Sequence, residues 1–258
     1  MERNGTGGFL PEVLGWRRLL GRIAIDDGAL NAFCERNATA PLPVPRWEGF
    51  PFYPRTDETT VDYLFFANAV NFSYFAFPGE TKWAITYKGE VLDGAMALFG
   101  AFTRAVERRE LALRGEDLAR MTPERLQRLF EGNVEIPMFA ERLAFLRMTG
   151  EILHEAWDGH FYHLLEEARG RVTKAIELVV RDFPPFHDAV SYRGVEIPFL
   201  KRLQLALAMI HGRFVGEEWG AFCDIDALTL FADYKVPQIL RHHGILRYDD
   251  ALSARVDR

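Results

Sequence analysis

The sequence predicts a mainly α fold, a compact helical bundle carrying one small β-hairpin, arranged as a single domain or as two closely packed helical lobes over residues 1–258. Three observations carry that prediction. Apolar residues recur at three- and four-residue spacing along most of the chain. One stretch, KWAITYKGEVLDG at 82–94, alternates instead, around a Lys88-Gly89 turn. Thr122-Pro123 and Gly244 stand where a helix is expected to start and to stop.

Residues 10–20 and 25–33 read as short amphipathic helices, followed at 40–54 by the proline-rich connector APLPVPRWEGFPFYP, a wrap or a lobe boundary. The pattern over 57–70 is a helix, and 71–77 is short and aromatic. After the hairpin, helices are expected over 96–107, 123–130, 138–156, 161–168, 172–183 and 198–214. Ile225, Leu228 and Phe231 continue at helical spacing, and Pro237 suits the first turn of a last helix that runs through Leu240 towards Gly244. Val236, just before that proline, is expected to be extended. There is no internal repeat and no low-complexity segment.

Composition narrows the partners. With 258 residues, 48% of them apolar, the chain can bury a sizeable core. A net charge of −6 gives no general attraction to polyanions, so duplex nucleic acid is not an expected partner and a small ligand is. Cys34 and Cys223 are the only cysteines and lack C-x-x-C spacing, which points to a reducing cytoplasm rather than a disulfide framework or thiolate zinc site. MERNGTGGFLPEV has no apolar signal-peptide stretch, and the longest uncharged segment, 63–79, is broken by Asn68, Asn71, Ser73 and Pro78. Neither secretion nor a membrane span is expected.

The strongest chemical candidate is Asp233. It falls in the break between two apolar helical patterns, so the Asp233-Tyr234 corner can aim a carboxylate into a cavity at the positive end of the following helix. Simple helix capping would place an Asp there too. The segment YLFFANAVNFSYFAF holds seven aromatics in fifteen residues, Tyr63 to Phe77, and reads either as core or as a planar-ligand pocket where Asn71 and Ser73 add hydrogen bonds. Among seven histidines, Glu151-x-x-His154 lacks the second Glu-x-x-His of a di-metal bundle, so no metal is expected. His242-His243 suits a helix C-terminus. No phosphate loop, nucleophile elbow or kinase signature is present. Lys201 stands beside Arg202 early in a long apolar helix, and only one of two adjacent positions can face solvent squarely. Lys201 turned inward would hold a phosphate or pair with Asp233; otherwise both are surface charges.

Three blocks, VNFSYFAF with downstream Trp83, IPFLKRLQLA with Lys201, and DIDALTLFADYKVPQILRHHGILRY, resemble in order and spacing the queuosine salvage protein family, the queuosine 5′-phosphate N-glycosylases. The resemblance spans residues 59–248. It implies an all-α fold related to the helix-hairpin-helix DNA glycosylases, and hydrolysis of queuosine 5′-phosphate to ribose 5-phosphate and queuine, which is then reinserted into tRNA. It implies that Asp233 and Lys201 are the catalytic pair. Asn71, Phe72, Ser73, Tyr234 and Gln238 fall on motif positions that line the base and sugar pocket. This chain departs from relatives at Phe75, where many have Trp, at Gly94-Ala95-Met96-Ala97-Leu98 for Gly-Tyr-Trp-Ser-Leu, and at Tyr53-Pro54 for His-Pro. The implied chemistry needs no cofactor: breaking a ribosyl C–N bond builds positive charge on C1′ and O4′ that an ionised Asp233 would stabilise. Base excision from nucleic acid by the same fold and non-catalytic binding of a deazapurine stay open as alternatives.

Overall fold

The computed structural model describes residues 20–40 and 43–258, so the helix expected at 10–20 lies, apart from its last residue, outside the described residues. Along the chain run β1 (Ile23–Ile25), α1 (Asp27–Asn37), α2 (Glu58–Ala69), β2 (Ala84–Tyr87), β3 (Glu90–Asp93), α3 (Gly94–Glu107), α4 (Gly115–Ala119), α5 (Pro123–Leu129), α6 (Phe139–Ala156), α7 (Phe161–Ala168), α8 (Val172–Asp182), β4 (Ala189–Tyr192), β5 (Val195–Pro198), α9 (Lys201–Arg213), α10 (Lys235–His242), β6 (Leu246–Tyr248) and α11 (Asp250–Val256). The fold is mainly α. No helix among the described residues is long and apolar enough to cross a membrane.

Helix α2 is the central strut. Every residue from Thr60 to Ala69 is buried, as expected of a helix apolar on all sides, and α3, α6, α7 and α9 pack around it. Phe65 of α2 stacks on Phe161 of α7 at 3.6 Å between ring centroids and on Phe186 at 4.6 Å, joining three parts of the chain in one aromatic cluster. The fully buried Asp62 takes the backbone N–H of Phe161 on one oxygen and lies 2.6 Å from Nδ1 of His160 on the other, which caps α7 from inside the core. Burial pushes its carboxyl up, against the pull of those partners.

Helices α4 and α6 touch backbone to backbone at Gly150. A Cβ there would lie 2.4 Å from the backbone nitrogen of Ala119 and 2.5 Å from the carbonyl oxygen of Gly115. Neither neighbour is a flexible side chain, so Gly150→Ala is expected to cost about 3 kcal/mol of stability by overpacking. A lower urea midpoint at unchanged slope is the expected reading; an unshifted midpoint would show that α4 slides away freely.

The hairpin lies where the alternation placed it, Ala84 pairing with Asp93 and Tyr87 with Glu90. Lys88 (φ 50°) and Gly89 (φ 84°) supply the two left-handed positions of its tight turn. Two further antiparallel pairs were not expected. One is β4–β5, turning at Arg193 and Gly194, both at positive φ; it takes in Pro198, the first residue of the helix expected over 198–214, and α9 begins only at Lys201. The other is β1–β6, which joins Ile23 to Tyr248 across nearly the whole chain and leaves no local signal.

The helix expected through Ile225, Leu228 and Phe231 does not form. Only Ile225–Ala227 makes a single 3-10 turn. Upstream, Asp224 spends its carboxylate on the N–H groups of Val172 and Thr173 at the start of α8. Downstream, Gln204 Oε1 accepts from Thr229 N at 2.8 Å and from its hydroxyl at 3.1 Å, giving that amide a partner outside any helix ladder. Val236 is not extended either: it lies in the first turn of α10, donating to the carbonyl of Asp233 at 3.1 Å, with Pro237 next, where a helix needs no N–H donor.

The elements from the two ends of the described chain have little core of their own. No residue of α1, α10 or α11 is buried. They are joined by the β1–β6 pair, by Asp26 N to Ile245 O at 2.9 Å, by the Phe33 and His243 rings at 4.8 Å, and by an Arg247–Asp26 ion pair.

Candidate functional site

A cavity of about 1240 Å³ opens where the end of α2, the inner face of α6, the start of α9 and the segment before α10 meet. It is lined by Asn71, Phe72, Ser73, Lys201, Asp233 and Tyr234, six of the seven residues singled out from the sequence. Gln238 is exposed on the next turn of α10 and does not line it. A smaller hollow of about 460 Å³ beside α5 shares no lining residue with this cavity.

Asp233 sits in the irregular stretch just before α10. Its Oδ1 accepts the N–H of Lys235 at 3.0 Å, and its Oδ2 meets Lys201 Nζ at 3.2 Å. Helix capping accounts for the first contact but not for the second, which reaches across to another helix. Partial burial works to raise the carboxyl, yet the Lys235 N–H and the Lys201 ammonium outweigh it and hold Asp233 below the usual carboxylate range. The group is therefore ionised at neutral pH, and each oxygen retains a lone pair beyond the one engaged.

Lys201 is the first residue of α9, with a side chain only 20% exposed, and Arg202 beside it is buried. Neither is a surface charge. The turn that places them passes through Leu200 at φ 48°, a left-handed position that a branched residue holds only under constraint. Asp188 supplies the constraint: its two oxygens accept the Lys201 backbone N–H at 3.3 and 3.1 Å. Burial pushes the Asp188 carboxyl up, opposed by the Arg202 charge and the N–H groups of the α9 start.

The aromatic segment divides at the end of α2. Tyr63, Phe65 and Phe66 are core, whereas Phe72, Tyr74 and Phe75 run along the cavity. What shapes this second half is the fully buried Arg142 of α6, which donates to the carbonyls of Val70 and Phe72, to Ser73 O at 3.1 Å and to Pro137 O at 2.8 Å. Its guanidinium lies 4.5 Å from the Phe72 ring centre and that of Arg202 lies 5.2 Å away, while Phe145 meets the ring edge-on at 5.7 Å. Ser73 is held at φ 53° with its side chain exposed. Asn71 bonds Asn68 through Nδ2 at 3.0 Å and accepts from the Tyr74 hydroxyl at 3.1 Å, so its amide is partly committed to the scaffold. Trp83 is core, donating to Phe130 O at 3.1 Å, and does not line the cavity.

The histidines have other partners. His154 lies 3.3 Å from Glu116, His160 pairs with Asp62, and His163 Nδ1 lies 2.9 Å from Glu166. Among the described residues, no three His, Cys, Asp or Glu side chains converge on one point. Asp188, Arg142, Glu141 and Lys235 also line or shape the cavity, and sequence reasoning missed them; none stands in a spacing that signals a site.

Comparison with known proteins supplies the remaining observation. The profile of the family described as queuosine salvage protein matches residues 52–258. A queuosine 5′-phosphate N-glycosylase/hydrolase of Sphaerobacter thermophilus is 37% identical over 236 residues, 92% of this chain and 72% of its own length. That of Bos taurus is 31% identical over 238 residues, 89% and 70% of the two chains, and that of Mus musculus 32% over 219 residues, 83% and 65%.

Proposed function

The chain belongs to the queuosine salvage protein family, and we propose that it hydrolyses the N-glycosidic bond of queuosine 5′-phosphate to release queuine and ribose 5-phosphate. The observation that carries the residue assignment is the contact inside the cavity between Lys201, at the start of α9, and Asp233, in the stretch before α10, 3.2 Å apart. Cleavage of the bond to C1′ builds positive charge on the ribose, and a fixed carboxylate beside it stabilises that charge without reorganising. The same carboxylate orients and deprotonates the attacking water. Lys201 is a positioning residue: it keeps Asp233 ionised and aimed, and Asp188 fixes the helix start from which it reaches.

The leaving base is a 7-deazaguanine, with carbon where a purine carries N7. Protonation at that site cannot assist departure, so hydrogen bonds must stabilise the base as it leaves. Ser73 and Tyr234 are exposed uncharged polar residues of the lining, and Phe72, with Asn71 behind it, forms a wall. Incubating the protein with queuosine 5′-phosphate and separating the products by chromatography tests the reaction; absence of free queuine would refute it.

The wall has its own test. Phe72→Ala is expected to weaken queuine binding by about 1–3 kcal/mol through lost ring contact. Its Tm should fall too, because Arg142 and Arg202 lose the ring they pack against. Calorimetric titration of queuine into a folded variant decides the point. Unchanged affinity would return Phe72 to a purely structural role.

A further inference from the structure

The charged side chains that line the cavity are nearly all spoken for. Lys82 pairs with Asp93 at 2.9 Å, Lys201 with Asp233 at 3.2 Å, and Asp188 holds the Lys201 N–H beside the buried Arg202. Two remain. Glu141 and Lys235 line the cavity, are exposed, and make no side-chain ion pair or hydrogen bond among the described residues. They carry opposite signs and stand on different helices, α6 and α10.

Their settings differ as well as their charges. Glu141 lies between Met138 and Phe145 at spacings of three and four, one face of the start of α6 turned to the cavity. Phe145 is the inner end of that stripe, touching Phe72, and Met138, 46% exposed, is its outer end. Lys235 opens α10 two residues after Asp233, with its ammonium 5.3 Å from the Tyr234 ring centre.

Queuosine 5′-phosphate is itself charged at both ends. From C1′ the ribose leads to a 5′-phosphate, while C7 of the base bears an aminomethyl arm whose secondary amine is protonated at neutral pH. The bond to be cut lies between the two. We infer that Lys235 binds the 5′-phosphate and that Glu141 binds the ammonium of the C7 arm, so the substrate lies across the cavity with its scissile bond at Asp233. This rests on the reaction proposed above and deepens it. Lys201, already engaged by Asp233, is thereby relieved of a phosphate-binding role. The arm also distinguishes this nucleotide from other guanine-like ones, and a carboxylate is the group that reads it.

The test compares kcat/KM on queuosine 5′-phosphate, on queuosine and on 7-deazaguanosine 5′-phosphate, which lacks the arm. Glu141→Gln should lower the value about tenfold more for queuosine 5′-phosphate than for 7-deazaguanosine 5′-phosphate, and Lys235→Gln about tenfold more for nucleotide than for nucleoside, as fits ion pairs open to solvent. Glu141→Lys should widen the first gap further. Equal losses within a pair of substrates, or none, would overturn the assignment of that residue. Both positions are exposed, so folding is not at stake. Failure of the wild-type protein to release queuine would refute the reaction instead. In that event the calorimetric affinities of the wild-type protein and its variants for queuosine 5′-phosphate, queuosine and 7-deazaguanosine 5′-phosphate read the same ratios.

Discussion

Asp233→Asn is expected to lower kcat for queuine release at least about a hundredfold while the protein still folds, because a neutral amide cannot stabilise the cation developing on the ribose. The substitution keeps the shape of the side chain and its acceptor for the Lys235 N–H. What it removes is the charge, and it leaves the Lys201 ammonium in the cavity without its counter-ion. Binding should suffer less than turnover, since the loss is felt most where positive charge is greatest. Because Lys235 N–H and Lys201 depress the carboxyl, the wild-type rate should hold as pH falls through the ordinary carboxylate range and drop only below it. Near-normal queuine release by a folded Asp233→Asn protein would remove Asp233 from the mechanism.

Arg142→Met should cost about 4 kcal/mol of stability, the largest loss expected from any single side chain here. Methionine follows the arginine stem only as far as Nε and carries no donors. Four carbonyl oxygens, of Val70, Phe72, Ser73 and Pro137, would then be left in a buried space without their common partner. Two of those carbonyls, of Phe72 and Ser73, belong to residues that line the cavity, so KM should rise even where the variant still folds. Denaturant unfolding gives the stability term and steady-state kinetics the other. An Arg142→Met protein as stable as wild type would show that water takes over the carbonyls.

What the sequence revealed follows from where each signal is stored. Helices α2, α3 and α5 to α9 are written in local periodicity and end punctuation, and the Lys88-Gly89 turn in two adjacent residues. The β1–β6 ladder is held by residues more than two hundred positions apart and has no such record. The stretch 225–233 misled for a related reason: its apolar spacing is helical, but Gln204, from a different helix, takes the amide of Thr229. The candidate site was legible through Asp233, Lys201 and the Asn71-Phe72-Ser73 block, which form compact motifs. Arg142, Asp188, Glu141 and Lys235 matter through whom they face, and that is a property of the assembled fold.

The scant core of the C-terminal elements bears on where the molecule opens first. Lys201 stands on α9, whose inner residues are fully buried, whereas Asp233 leads into α10, which packs on the three-residue β6 strand. Closing the β1–β6 contact spans most of the chain, so its loop-closure entropy falls due late in folding, with few apolar contacts to offset it. Amide protons of α10 and β6 should therefore exchange with solvent well before those of α2, in a sub-global opening that parts Asp233 from Lys201 while the bundle stays folded. A nucleotide that bridges the two would slow that exchange, which makes the protection of α10 a direct gauge of occupancy.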